Sequence, residues 1–320
     1  SEPFRRHLEA TGNYETIGFA GFFTAFIRHK SLGNNHFTEQ YPAIGAAKYA
    51  TVEVARENRE KELARHEAGE DVFHTAHELI HDLKANVLTP YITVESLGWL
   101  FGFQLFGRTL FPRWHRKSRE KVAQMVAPPV STDVPVDESQ QEEGLTVGLP
   151  FDDQVSMLET ALRTIGLTDN FARLVLACGH GSSSDNNPYE AALNCGACGG
   201  HRGEPNARVF AAIANKPEVR AQLAGRGIVI PEDTHFLAGL HDTTTDAVVF
   251  FDEEDIPATH QDDMKRFIED LRQAAVNTNR ERCTRLPLIG KDPTASTVAR
   301  EISRRAGDWS EVRPEWGLSV

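Results

Sequence analysis

The feature that most constrains this chain is a run of 24 residues from Cys178 to His201. It reads Cys178-Gly179-His180-Gly181-Ser182-Ser183-Ser184-Asp185-Asn186-Asn187-Pro188-Tyr189-Glu190, then Ala191-Ala192-Leu193-Asn194-Cys195-Gly196-Ala197-Cys198-Gly199-Gly200-His201. It is entered through residues 173–178, Arg-Leu-Val-Leu-Ala-Cys, a short apolar run of the buried-strand type. Asn187, Pro188 and Glu190 have the spacing of a helix start, at N-cap, first and third helical positions. The segment thus predicts a strand, a glycine-rich turn, a short helix and a Cys-x-x-Cys. That order suits an α/β sheet, where ligands collect at the carboxyl ends of strands. His180 lies two residues past the predicted strand end, and Cys195 follows the helix that can return the chain to the same crevice. Thiolate and imidazole are the donors a borderline-soft ion such as zinc prefers. His180 and Cys195 are therefore candidate metal ligands. The competing reading is a buried structural cysteine beside a histidine satisfied by backbone.

Other motifs compete for the chemistry. Cys195 and Cys198 could form a redox pair, or a zinc knuckle with Cys178 and His201. A thioredoxin-like pair opens a helix after a strand, whereas this one follows the end of a helix. A zinc deaminase needs His-x-Glu and Pro-Cys-x-x-Cys; here Gly181 and Ser182 follow His180, and Asn194 precedes Cys195, so the general acid/base is missing. His77-Glu78-Leu79-Ile80-His81 matches the His-Glu-x-x-His of zinc proteases, with His74 nearby. The competing reading is a solvated, charged helix face, because no third ligand is assigned. The loop His241-Asp242-Thr243-Thr244-Thr245-Asp246 could support a metal site from behind, or be a Thr-rich turn.

The rest of the chain predicts alternating helices and short apolar strands: helices over 1–10, 51–88, 151–165, 206–215 and 217–223, and strands over 228–230, 236–240 and 247–251. Residues 16–23 suggest a buried strand and loop. Residues 128–150 look like a linker, with tandem prolines and the acidic residues Asp137, Glu138, Glu142 and Glu143. Residues 91–111 are apolar, but their charge-free core from 96 to 107 is 12 residues, short of the roughly 20 needed for a span. A buried or interfacial helix is the expectation there. The basic run Arg113, Arg116, Lys117, Arg119 and Lys121 reads as a solvated face, and beside an apolar helix it suits an anionic membrane surface. A net charge of −12 argues against general nucleic-acid binding. Four cysteines, three of them clustered, point to metal or redox chemistry in a reducing compartment rather than a disulfide framework.

Residues 162–176 run directly into Cys178-Gly179-His180-Gly181-Ser182. With Asn186-Asn187-Pro188-Tyr189, Cys195-Gly196-Ala197-Cys198-Gly199-Gly200 and Pro205-Asn206-Ala207-Arg208, the chain closely resembles the DabA family. Ser1-Glu2-Pro3-Phe4-Arg5-Arg6-His7-Leu8-Glu9, Gly18-Phe19-Ala20-Gly21-Phe22-Phe23, Thr243-Thr244-Thr245-Asp246 and the segment from Asp308 to Leu318 extend the likeness end to end. It is weakest between about 30 and 150.

The resemblance implies an α/β fold of β-carbonic-anhydrase-like type: a largely parallel sheet with flanking helices and a helical insertion. It divides the chain into 1–45 (N-terminal part of the core), 46–130 (helical insertion), 131–150 (linker) and 151–320 (C-terminal part of the core, with the ligand motif). It implies Zn2+ as cofactor, with His180 and Cys195 as ligands, and neither Cys178 nor Cys198. It implies a soluble subunit of an energy-coupled inorganic carbon uptake complex that hydrates CO2 to bicarbonate. The implied partner is a DabB-type, antiporter-like membrane subunit, and the implied location is peripheral, on the cytoplasmic face of the bacterial inner membrane. The alternative function is a structural zinc or scaffold domain that docks a membrane subunit. In the family, a Cys-x-Asp-x-Arg motif supplying two further ligands immediately precedes the Ser-Glu segment with which this chain starts. The chain therefore reads as an internal fragment with two of four ligands, and hydration is expected only in the complete complex.

Overall fold

The computed structural model describes residues 2–85, 89–184, 190–284 and 293–305. The predicted helix start at Asn187 and the segment 308–318 lie outside them. The first helix, α1 (Glu2–Glu9), buries Phe4 and Leu8, one turn apart on one face. Residues 16–23 do not form the expected strand. They follow an irregular path ending in a turn at 21–24, where Phe23 and Thr24 take positive φ of 47° and 61°. The strands come later: β1 (Ile27–Lys30), β2 (Thr38–Gln40), β3 (Tyr49–Val52) and β4 (Val54–Ala55). Residues 51–55, predicted to open a long helix, are thus strand, because β-branched Thr51, Val52 and Val54 pack on a pleated surface.

Three helices follow, α2 (Glu60–Ala85), α3 (Thr89–Leu110) and α4 (Pro112–Val126). α3 overlaps the apolar run expected to be a buried or interfacial helix, but Gly107 is its only buried residue. Among the described residues, no helix is long and apolar enough to cross a membrane. The stretch read as linker carries β5 (Thr132–Asp133), β6 (Gln141–Glu142) and β7 (Leu145–Val147). β7 pairs in parallel with β3, Tyr49 opposite Thr146 and Ala50 opposite Val147. This pairing brings together residues almost a hundred positions apart, so no local pattern announces it.

The C-terminal half follows as α5 (Phe151–Ile165), β8 (Leu174–Gly181), α6 (Glu190–Leu193), α7 (Glu204–Asn215), α8 (Pro217–Gly225), β9 (His235–Asp242), β10 (Val248–Phe251), α9 (Gln261–Cys283) and α10 (Ala295–Arg305). The strand expected over 228–230 is absent. Gly227, at φ +86°, turns the chain out of α8, with Gly227 N donating to Ala224 O and Ile228 N to Leu223 O. That is a Schellman cap, and it drops Ile228 into the core as coil.

The strands form a five-stranded sheet in the order β2-β1-β3-β7-β6, a three-stranded sheet in the order β10-β9-β8 and an antiparallel β4–β5 pair. The central pairings β1–β3, β3–β7 and β8–β9 are parallel, and the outer strands β2, β6 and β10 pair antiparallel. The fold is mixed α/β with a mostly parallel centre and flanking helices. Along β9 the side chains alternate between faces: Phe236 and Ala238 join a core with α5, α7 and α8, whereas Leu237 faces Phe4 of α1 and Met264, Phe267 and Leu271 of α9. Leu158, Leu162 and Ile213 are wholly buried in the first core, each contributing about 1.5–3 kcal/mol. Asn206 at the start of α7 is also fully buried and donates to the carbonyls of Ala25 (2.8 Å) and Gln40 (3.0 Å). That polar pin fastens α7 to the N-terminal strands.

A candidate metal centre at the end of a parallel strand

His180 is the penultimate residue of β8, inside the strand rather than two residues beyond it, because the pairing with β9 runs on to Gly181; it stands opposite His241 of β9 in register. Cys195 follows α6 and forms an isolated antiparallel bridge with His201. Between them the chain makes a tight knuckle: Cys198 N and Gly200 N both donate to Cys195 O at 3.0 Å, and His201 N donates to Cys198 O at 3.1 Å. The knuckle is tied to the strand by Gly203 N, which donates to His180 O at 3.0 Å. The approach is close enough that a Cβ on Gly179 would lie 2.4 Å from Gly203 O. Only glycine lets strand and knuckle touch here.

Cys195 and Cys198 are both buried, and both are free thiols. The Cys195 thiol is pulled down to about 5, first by a hydrogen bond from Cys198; burial opposes this, and the neighbouring His180 imidazole adds a further pull. Cys198 moves the other way, raised by that same hydrogen bond and by burial. The shared hydrogen bond and the imidazole thus make Cys195 the more acidic of the two sulfurs. His180 Nδ1 is buried with no hydrogen-bond partner among the described residues, a state that is costly unless something else takes the lone pair or the proton. A buried, acidified thiol beside an orphaned imidazole nitrogen is a donor set suited to zinc. Among the described residues, no group of three or more His, Cys, Asp or Glu side chains is arranged to hold a metal. The pair amounts to two donors.

The remaining motif residues are dispersed. Cys178 is exposed on β8, and His201 contributes backbone while its side chain is exposed, so the four-residue knuckle site does not assemble. His74, His77, Glu78 and His81 are all exposed along α2, and the nearest carboxylate to His81 is its neighbour Asp82, 4.0 Å away. This is the solvated helix face.

The 241–246 loop is an ordered support. Asp242 accepts from Ser183 N (2.9 Å), Ser183 Oγ (2.7 Å), Thr244 N (3.0 Å) and Thr245 Oγ1 (2.7 Å). Burial works against its charge, but these bonds outweigh burial and hold its pKa below the usual carboxylate value. Asp246, fully buried, is shared by His241 Nε2 (3.0 Å) and Arg282 (2.8 Å). The loop thereby holds Ser183, just beyond His180.

Sequence reasoning missed Arg208. It is 4% exposed and bonds Glu53 (2.6 Å) and both oxygens of Asp252 (2.9 and 2.7 Å). With Arg56, Ser131 and Glu204 it lines a cavity of about 330 Å³. The carboxyl of Glu204, next to Gly203, is raised chiefly by burial. Arg208 lies in the quoted Pro205–Arg208 motif, but no local pattern marks its role, because Glu53, Thr132 and Asp252 come from separate segments.

Fold and site define a class: a mixed α/β protein with a buried thiol–imidazole pair at the carboxyl end of a parallel strand. A family profile described as "Probable inorganic carbon transporter subunit DabA" matches residues 1–320. The chain belongs to the DabA family. It is 41% identical over 319 residues to the probable inorganic carbon transporter subunit DabA of Legionella pneumophila (strain Lens), covering 100% of this chain and 41% of that protein. The counterpart in Geobacillus thermodenitrificans is 40% identical over 326 residues (100% of this chain, 36% of that protein), and DabA1 of Halothiobacillus neapolitanus is 33% identical over 405 (100% and 38%). The chain thus spans about two fifths of the length of these relatives. No solved structure matches.

Proposed function

We propose that this chain supplies zinc ligands to an inorganic carbon transporter subunit that hydrates CO2 to bicarbonate. The observation that carries the reading is the pair itself: the buried Cys195 sulfur, its thiol made more acidic by its neighbours, beside the unpartnered His180 Nδ1. Zinc bound there would make hydroxide available near neutral pH for attack on CO2. The chain's own residues have separable tasks. His180 and Cys195 would hold the ion. The hydrogen bond from Cys198 lowers the Cys195 thiol. Asp242 orders Ser183 at the rim. The other donors would come from the Cys-x-Asp-x-Arg motif that the family resemblance implies. The relatives' names, each a transporter subunit, support a membrane partner. We take it to be of DabB type, with this protein peripheral on the cytoplasmic face of the inner membrane.

The test is zinc content of the full-length protein purified with its membrane partner, wild type against His180→Ala and Cys195→Ala. The reading expects about one zinc per chain, lost in both variants, with CO2 hydration lost alongside. Retention of full zinc in both variants refutes the assignment. Zinc binding without hydration by the wild-type complex supports a structural zinc domain instead.

A further inference from the structure

α3 presents apolar side chains to solvent on every side. Tyr91, Val94, Trp99, Leu100, Phe101 and Phe103 are 74, 63, 62, 47, 42 and 70% exposed. At 100° per residue these positions go right round the helix. A helix apolar all round is one that is surrounded, whereas a groove on a folded partner covers one stripe. α3 is also too polar to cross a bilayer. The helix packed beside it, α4, is basic. From 89 to 126, six Lys and Arg stand against Glu95 and Glu120, net +4 within a chain of −12. Lys117, Arg119 and Lys121 are exposed, as is Trp114, at 68%. Exposed Trp, Tyr and Phe beside a cluster of cations is the chemistry of the lipid headgroup boundary, where rings enter the acyl edge and ammonium and guanidinium groups meet anionic phosphates.

We propose that α3 and α4 form a membrane-interface anchor that seats in an anionic lipid surface, α3 sunk below the headgroups at the acyl edge and α4 against the headgroups. Charge decides between lipid and protein as occupant: an apolar partner surface gives the exposed cations of α4 nothing to pair with, whereas an anionic leaflet does. The inference deepens the peripheral location proposed above and rests on it. It is independent of the zinc assignment.

The test is flotation of the full-length protein with protein-free vesicles, neutral phosphatidylcholine against vesicles enriched in phosphatidylglycerol. The wild type is expected to float with the anionic vesicles and to be released by salt. Reversing Lys117, Arg119 and Lys121 together to Glu should weaken partitioning by about a hundredfold or more, given the worth of each cation near an anionic surface. Trp99→Ser with Phe103→Ser should weaken it at low salt as well. Both variants should keep the wild-type circular dichroism spectrum and urea midpoint, which shows that they are folded. Failure of the wild type to float, or equal floating by the charge-reversed variant, overturns the proposal. If the wild type joins only membranes that carry the partner subunit, peripheral attachment stands and the lipid anchor falls, because protein then covers α3.

Discussion

Removing the Cys198 thiol tests the electrostatics of the candidate centre directly. Cys195 is buried, and burial alone would push a thiol up. Its value of about 5 therefore depends on Cys198, the largest influence on it, with His180 the next to lower it after burial has opposed both. A hydrogen bond to a charged group is worth about 1.5–3 kcal/mol. At 1.36 kcal/mol per pKa unit, Cys198→Ala should raise Cys195 by about 1–2 units, to roughly 6–7. Cys198→Ser keeps a donor in place and should restore most of the depression. The assay is ultraviolet thiolate absorbance against pH on metal-free protein, with Cys195→Ala subtracted to isolate the one sulfur. The reasoning is refuted if the Cys198→Ala midpoint coincides with wild type, or if wild-type Cys195 itself titrates like an ordinary free thiol.

Three further outcomes follow from the same structure. Arg208→Met leaves Glu53 and Asp252 without their buried cation and should cost about 3–5 kcal/mol in urea unfolding; a loss under 1 kcal/mol would show the cluster to be solvated. His29 is lowered to about 4, chiefly by burial with Arg208 adding, against the opposing pull of Glu53. Below pH 6.5 the unfolded chain then takes up a proton that the folded chain refuses until about pH 4, so stability should fall by up to about 3 kcal/mol across that window. His29→Gln should flatten that limb of the pH–stability curve, and an unchanged slope would count against the depressed value. Gly179→Ala drives a Cβ into the Gly203 carbonyl and should cost about 1–3 kcal/mol while lowering zinc occupancy; wild-type stability together with wild-type zinc content would contradict the close approach.

The helices and central strands of the C-terminal half were legible because each carries its own signal. The apolar run into β8, the amphipathic α5 and the proline-led α7 and α8 are local patterns. The misreadings have equally local causes. Residues 16–23 are apolar and glycine-broken, which fits a strand or a buried turn equally well, and the turn wins because Phe23 must reach Phe210 of α7. Residues 51–55 border a charged helical stretch, and their β-branched side chains were outweighed by it. β7 looked like linker because a three-residue strand has no periodicity to read; its partner β3 supplies the order.

For the candidate centre, the sequence alone determined which atoms are available: one imidazole and two thiols, spaced by a glycine-rich turn and a short helix. It also determined the family, since the motifs run the length of the chain. Only the tertiary structure decided which sulfur is the more acidic, because that depends on the hydrogen bond between Cys198 and Cys195 beside His180 in a buried knuckle. Only the fold, likewise, left α3 bare while other apolar segments were covered. Hydrophobic pattern states what must be hidden from water, and the packing of distant segments decides what is left to hide it.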